Sequence, residues 1–154
     1  LGKRIITPLA LSKAGKWTLM HVSRHIDPAL VRVTRGRVST LMVTPAVLLT
    51  TVGAKSGVER KVALLYFTDA GRVILMASNF GGTRHPAWYH NLNAHPEVTL
   101  YGGGYEGRFR AHEATGAEHE RLWGLAKRFS EGYARYEQTT GGRTIPVMVL
   151  EPVG

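Results

Sequence analysis

The pattern of apolar and polar positions changes near residue 45. Before it the spacing is helical: Trp17, Met20 and Arg24 share one stripe, and Leu19, Val22 and Ile26 another. Asp27-Pro28 reads as an N-cap followed by proline at the first helical position, which predicts a second short helix over 29–33. Neither helix is apolar enough to form a core alone. From Pro45 the spacing becomes that of strands. Ala46-Val-Leu-Leu-Thr-Thr51 is a buried-strand run, and Gly53-Ala-Lys-Ser-Gly57 is a turn. Val62 to Thr68 and Arg72 to Ala77 predict two further strands, joined by a hairpin at Asp69-Ala-Gly71.

Ser78-Asn-Phe-Gly-Gly82 predicts a loop. Pro86 opens a short helix through about Ala94, and Pro96 ends it. Val98 to Tyr101 and Tyr105 to Ala111 predict a hairpin across Gly102-Gly103-Gly104, with Tyr105, Gly107, Phe109 and Ala111 alternating with polar partners. Thr115-Gly-Ala-Glu118 has the form of a capping box and begins a helix bearing Leu122, Trp123, Leu125, Ala126 and Phe129. Ile145 to Leu150 is the closing strand. The order α-α-β-β-β-α-β-β-α-β, with hairpin-linked strands and inserted helices, predicts an antiparallel barrel in an α+β domain.

A chain of 154 residues fits one such domain, able to bury a core without cross-links. The absence of cysteine excludes a disulfide framework, a thiolate nucleophile and Cys-ligated zinc, and fits a reducing compartment. No apolar run reaches the roughly 20 residues of a membrane span. No apolar h-region follows Leu1-Gly2-Lys3-Arg4, so no signal peptide is expected, and the lack of an initial Met suggests that the true N-terminus lies upstream. The formal net charge of +9 attracts anions. It is concentrated: residues 1–40 hold Lys3, Arg4, Lys13, Lys16, Arg24, Arg32, Arg35 and Arg37 against Asp27. We therefore read 1–44 as a basic helical N-terminal segment and 45–154 as the barrel domain. A cytoplasmic location is expected, with peripheral contact between residues 1–40 and an anionic membrane at its inner face. Nucleic acid is not an expected partner, because no nucleic-acid motif accompanies the charge.

Three places carry candidate chemistry. Thr50-Thr51-Val-Gly53-Ala-Lys55-Ser56-Gly57-Val-Glu-Arg60-Lys61 runs from a strand into a glycine turn with hydroxyls and three cations. Glycine nests turn backbone N–H groups inward and cations add charge-assisted bonds, so this is either an anion site or an ordinary solvated turn. Its glycine spacing is not that of a Walker A loop. The second place joins Ala77-Ser-Asn-Phe-Gly-Gly82 to His85-Pro-Ala-Trp-Tyr-His-Asn91, which suits a planar ring if Trp88 is not simply core. His85, His90 and His95 recur every five residues, which is not the i, i+4 spacing of a helical zinc site, so no metal is expected. No Ser-His-Asp or paired-carboxylate arrangement is legible. The third place is Tyr133-Ala-Arg-Tyr136, two tyrosines on one helix face that either wall a pocket or pack.

Leu48-Leu-Thr-Thr-Val-Gly-Ala-Lys-Ser-Gly57, Arg60 and Leu64-Leu-Tyr66 resemble the deazaflavin (F420)-dependent nitroreductase family, whose members are also described as F420H2-dependent quinone reductases. Ala77-Ser-Asn-Phe-Gly-Gly82, His85-Pro-Ala-Trp-Tyr-His-Asn-Leu-Asn-Ala-His-Pro96 and Arg143-Thr-Ile-Pro-Val147 extend the match, which covers about Pro45 to Pro152. The resemblance implies a split β-barrel, a fold also used by FMN-binding oxidases, and a reductase that passes hydride from F420H2 to a quinone or a nitroaromatic such as a nitroimidazole. Position by position, Lys55, Ser56 and Arg60 would bind the phosphate and acidic tail of F420. Ala63, Leu64, Leu65 and Tyr66, with Ala77, Ser78 and Asn79, would supply ring-edge backbone, and Trp88 and Asn91 would support the cofactor's side chain. Tyr66, Ser78, Tyr133 and Tyr136 would form the acceptor pocket. The chain departs from the family at Ala54, where many members carry Arg, and at Ala63, where Pro is common; a tyrosine near Phe129 or Ser130 is also absent. The competing readings are an FMN-binding oxidoreductase on the same barrel and a non-catalytic F420-binding protein.

Overall fold

The computed structural model describes residues 46–102 and 104–154, together with Pro28, Ala29 and Arg32. Seven strands form one antiparallel sheet. They are β1 (Ala46–Val52), β2 (Glu59–Leu65), β3 (Phe67–Asp69), β4 (Arg72–Met76), β5 (Glu97–Tyr101), β6 (Gly107–Glu113) and β7 (Val147–Pro152). Between residues 46 and 154 the described α-helices are α1 (Ala87–Ala94), α2 (Gly116–Phe129) and α3 (Glu131–Glu137).

The strand order is β2-β1-β5-β6-β7-β4-β3. Strands β2 and β3 therefore occupy opposite edges, yet Tyr66 alone separates them along the chain. One residue spans at most about 3.6 Å, so the sheet has to curl until its two edges meet at Tyr66. The result is a half-barrel with an inner and an outer face. Val47, Leu49, Val73, Leu75, Val98, Leu100, Phe109, Met148 and Leu150 fill the inner cluster, and α1 lays Trp88 and Leu92 into it.

Among the described residues the outer face is covered only in part, and this explains the texture of each strand. Ala46 and Leu48 of β1 are buried on the outer face beside Ala63, Leu65 and Tyr101. Ile74 and Met76 of β4 and Val147 and Val149 of β7 pack there against Leu122, Trp123 and Ala126 of α2. Strands covered on both sides read as continuous apolar runs. In β5 and β6, Glu97, Thr99, Arg108 and Arg110 face solvent, which gives a clean alternation. Ion pairs fasten α2 to the β3–β4 hairpin: Arg72 reaches Asp69 at 2.7 Å and Glu118 at 3.3 Å, and Arg121 reaches Asp69 at 2.9 Å. The Arg121 and Arg72 guanidinium groups hold the Asp69 carboxyl well below the usual carboxylate range.

Several sequence expectations change. The strand predicted from Val62 to Thr68 is two strands, because the chain crosses from one sheet edge to the other at Tyr66. The second hairpin strand begins at Gly107 rather than Tyr105, and the closing strand runs Val147–Pro152 rather than Ile145 to Leu150. Thr115 is the N-cap of α2, but its side chain makes no capping bond. Glu118 instead meets Arg72 and His112 side chains, stronger partners than one backbone N–H. A separate helix, α3, follows α2, with Ser130 accepting the Gly132 N–H at its start. Of the predicted N-terminal helices, Pro28, Ala29 and Arg32 are helical, and the rest lies outside the described residues. The Tyr101 hydroxyl, on the outer face of β5, donates to the Arg32 carbonyl at 3.4 Å.

Candidate active site

Between β1 and β2 the chain turns through Gly53 to Val58. Gly53 N donates to Val58 O at 2.8 Å and Gly57 N to Gly53 O at 3.0 Å. Gly57 has φ 67, a left-handed value that glycine adopts without cost. Ser56 folds over Gly53, and its Oγ accepts from Val58 N at 3.2 Å, which leaves the hydroxyl proton free to donate. A Cβ on Gly53 would stand 2.3 Å from that oxygen, so a side chain there would push the Ser56 hydroxyl out of this position. Lys55 and Arg60 are exposed, and neither takes part in an ion pair among the described residues. Lys61 lies 3.8 Å from Glu59.

Asn91, on the buried face of α1, anchors this turn. Its Oδ1 accepts from Ala54 N at 2.9 Å and its Nδ2 donates to Thr51 Oγ1 at 3.2 Å. Both ends of the amide are thus used to shape the loop that carries Lys55. Trp88, 8% exposed, belongs to the inner cluster. Asn91 lies near the middle of α1, and the second candidate loop leads into the start of the same helix.

That loop, Ala77 to Gly82, is strained. Ser78 is right-handed helical (φ −73°, ψ −29°), and Asn79, Phe80 and Gly81 follow with φ of 47°, 54° and 73°. Asparagine tolerates such values, but at Phe80 the left-handed region costs roughly 1–2 kcal/mol. Strain of this kind persists where surrounding contacts over-determine it, characteristically at functional sites. A right-handed residue followed by a left-handed one also turns successive N–H groups to one side, a concavity for an electron-rich oxygen.

The supports are visible. Arg143 donates from Nη2 to Ser78 O at 2.9 Å and Gly82 O at 2.8 Å, from Nε to Gly82 O at 3.1 Å and from Nη1 to Ala77 O at 3.2 Å. Its Nη1 also lies 3.0 Å from His85 Nδ1. Burial lowers the His85 pKa, and Arg143 and His90 lower it further, so the ring is held neutral and Nδ1 accepts. Thr139 Oγ1 donates to Gly81 O at 2.7 Å, and Tyr136 packs directly on Gly81. Neither Thr139 nor Arg143 stands out in the sequence as a support. Arg143 appears there only inside a matching stretch, and a cation whose partners are carbonyls and a neutral histidine leaves no charge pattern to find.

The structure gathers the sequence-predicted residues into groups. Lys55, Ser56 and Arg60 lie on or beside one turn, tied by Asn91 to α1. Ala77, Ser78 and Asn79 form the strained loop with Tyr136 against its far end. Strand β2 is a sheet edge among the described residues, where alternate backbone groups lack a strand partner. Leu64 and Tyr66 point to the inner cluster, whereas Ala63 and Leu65 pack on the outer face. Tyr66 meets the ring of Tyr105 edge-on at 5.9 Å, a pairing the sequence did not suggest. Tyr133 is 7% exposed, enclosed by Trp123 at 6.1 Å and Tyr136 at 6.2 Å. Trp123 and Lys127 of α2 both reach Glu137, which holds α3 in place. Burial raises the pKa of Tyr133, Tyr136 and Tyr66, so all three hydroxyls stay protonated at neutral pH.

Comparison with known proteins gives a consistent result. Residues 23–152 match the family model described as F420H(2)-dependent quinone reductase. An F420H(2)-dependent quinone reductase of Mycobacterium tuberculosis is 33% identical over 145 residues, covering 88% of this chain and 95% of the relative. A solved F420-H2 dependent reductase is 40% identical with a TM-score of 0.62, over 70% of this chain and 94% of that one. A second solved structure, described as a domain-swapped dimer, is 35% identical with a TM-score of 0.64, over 82% and 96% of the two chains.

Proposed function

The chain belongs to the F420H(2)-dependent quinone reductase family and is an F420-dependent oxidoreductase, and from that premise we propose that its two loops flanking α1 bind opposite ends of the deazaflavin and present it to a quinone. The observation that carries this reading is the pairing of two features: a turn tied by Asn91 to α1, whose Lys55 and Arg60 make no ion pair among the described residues, and a strained N–H concavity on the loop that leads into the start of α1. Both suit F420. Its phosphate and polyglutamate tail match Lys55, Ser56 and Arg60, and its electron-rich ring edge matches the N–H groups of Ser78 and Asn79. Asn91 and Trp88 would support the segment between indirectly, Asn91 by shaping the Lys55 turn and Trp88 by seating α1 in the inner cluster.

Reduced F420 supplies two electrons as hydride. The protein's part is to orient and to exclude water, which can contribute much of the rate without a strong acid or base. A quinone that accepts hydride also needs a proton on oxygen. Tyr66, beside the inner cluster, and Tyr136, beside the outer one, keep their hydroxyl protons at neutral pH, and either would hydrogen-bond that oxygen. Tyr133, buried behind Tyr136, would fix the ring that meets the acceptor. Ser78 adds a hydroxyl at the loop itself.

The test is anaerobic oxidation of F420H2, followed by absorbance, against a panel of quinones and nitroaromatics. Turnover of a quinone is expected, and no turnover with any quinone refutes the reading. Fluorescence titration separates the cofactors: F420 should bind more tightly than FMN, which lacks the acidic tail. The same reading extends to location. The eight cations of residues 1–40 would hold the protein against anionic lipid, close to quinones dissolved in the bilayer. Co-sedimentation with phosphatidylglycerol vesicles, but not with phosphatidylcholine vesicles, is expected.

A further inference from the structure

We propose that Arg143 is a positioning residue for the deazaflavin ring: it touches no ligand, but it fixes the direction in which the Ser78 and Asn79 N–H groups point. The inference rests on the reading of residues 77–79 as the ring-edge loop. In a trans peptide the C=O and the following N–H point in opposite directions. No described peptide bond is cis. Arg143 draws the Ala77 and Ser78 carbonyls toward itself at 3.2 and 2.9 Å, and the Gly81 N–H shares the Ser78 oxygen at 2.9 Å. The N–H groups of Ser78 and Asn79 must then face away from the guanidinium.

Three features make this arrangement more than ordinary loop packing. The guanidinium serves three carbonyls, those of Ala77, Ser78 and Gly82, and makes no ion pair among the described residues. Its planar fork can bridge several oxygens at once, which a lysine ammonium on a flexible stem cannot reproduce. The segment that carries it grips the loop twice, since Ala77 N also donates to Pro146 O at 2.9 Å. Lastly, the pinned peptides lead into the left-handed run Asn79–Gly81, which would relax toward ordinary backbone if released.

The test uses the full chain and two ligands: F420, and the bare 8-hydroxy-5-deazaflavin ring lacking phosphate and tail. Each is titrated by fluorescence across a salt series, beside melting curves, for the parent, Arg143→Ala, Arg143→Lys and Lys55→Ala. Arg143→Ala should weaken both ligands by the same factor, about tenfold or more, and leave the salt slope of F420 binding unchanged. Arg143→Lys should recover only part of the loss. Lys55→Ala should weaken F420, flatten its salt slope and spare the bare ring. Folded Arg143 variants that bind the ring within about twofold of the parent overturn the proposal. So does a loss confined to F420 with a flattened slope, which would make Arg143 a tail contact. If neither Arg143 variant folds, the residue is structural and the proposal falls. A parent protein that binds neither ligand overturns the site reading itself.

Discussion

Replacing Gly81 by alanine tests whether the strained loop and α3 are one rigid unit. The backbone at Gly81 has φ 73°, so a side chain there costs roughly 1–2 kcal/mol before any contact is made. The added Cβ would stand 2.3 Å from Thr139 Oγ1 and 3.1 Å from Tyr136 Cα. Thr139 can rotate away only by giving up its 2.7 Å bond to Gly81 O, a loss of about 1 kcal/mol. Tyr136 Cα is backbone, so α3 itself has to shift, and overpacking of this kind costs about 1–3 kcal/mol. Together these effects predict a loss of about 3–6 kcal/mol, or about 6 °C or more in Tm for a chain of this size. Gly71→Ala is the control: its φ is 77° with no atom within 4 Å of the new Cβ, so only the same backbone strain of roughly 1–2 kcal/mol should appear. Urea denaturation of both variants, and of Gly81→Ala/Thr139→Ala, measures each part. The double variant should recover part of the Gly81→Ala loss, because the 2.3 Å clash is gone. Equal losses at Gly81 and Gly71 would refute the claim that the loop and α3 are pressed together.

Lys55→Ala and Arg60→Ala should each weaken F420 by about tenfold in low salt and flatten the salt dependence, as read by fluorescence titration. Tyr133 and Tyr136 should behave differently. Tyr133→Ala empties a buried site and should cost about 3–5 kcal/mol in denaturant, whereas Tyr136→Phe should keep the fold and lower kcat/KM for the quinone in stopped-flow assays. The fold should also lose stability on mild acidification. His85 is held neutral in the fold, below its ordinary pKa of 6.5, so the unfolded chain takes up protons first as pH falls. Its contribution is therefore complete above pH 6.5 and declines below it. Melting curves from pH 8 to 5 should show a drop that His85→Gln reduces.

Much of this molecule is written in local pattern. The apolar run at Ala46 to Leu49, the alternation in β5 and β6, the hairpin at Asp69 to Gly71 and the proline-led helix α1 each depend on residues that are near neighbours in the chain. The cation turn at Lys55 is legible for the same reason, since a glycine turn and its charges are contiguous. Tertiary structure decided what depends on distant partners. Only sheet closure shows that the predicted second strand must break at Tyr66, because the break serves two edges that the chain alone does not bring together. Glu118 has the sequence position of a capping residue and goes instead to Arg72 and His112, partners supplied by the sheet. Asn91 spends both ends of its amide on the Lys55 turn, about forty residues earlier in the chain. Arg143 lies more than sixty residues from the loop whose peptides it orients, and carbonyl oxygens leave no mark in a sequence. Local propensity specifies elements and turns. The direction of a peptide N–H in a strained loop is set by whichever distant group takes the carbonyl beside it, and that is known only once the chain has closed on itself.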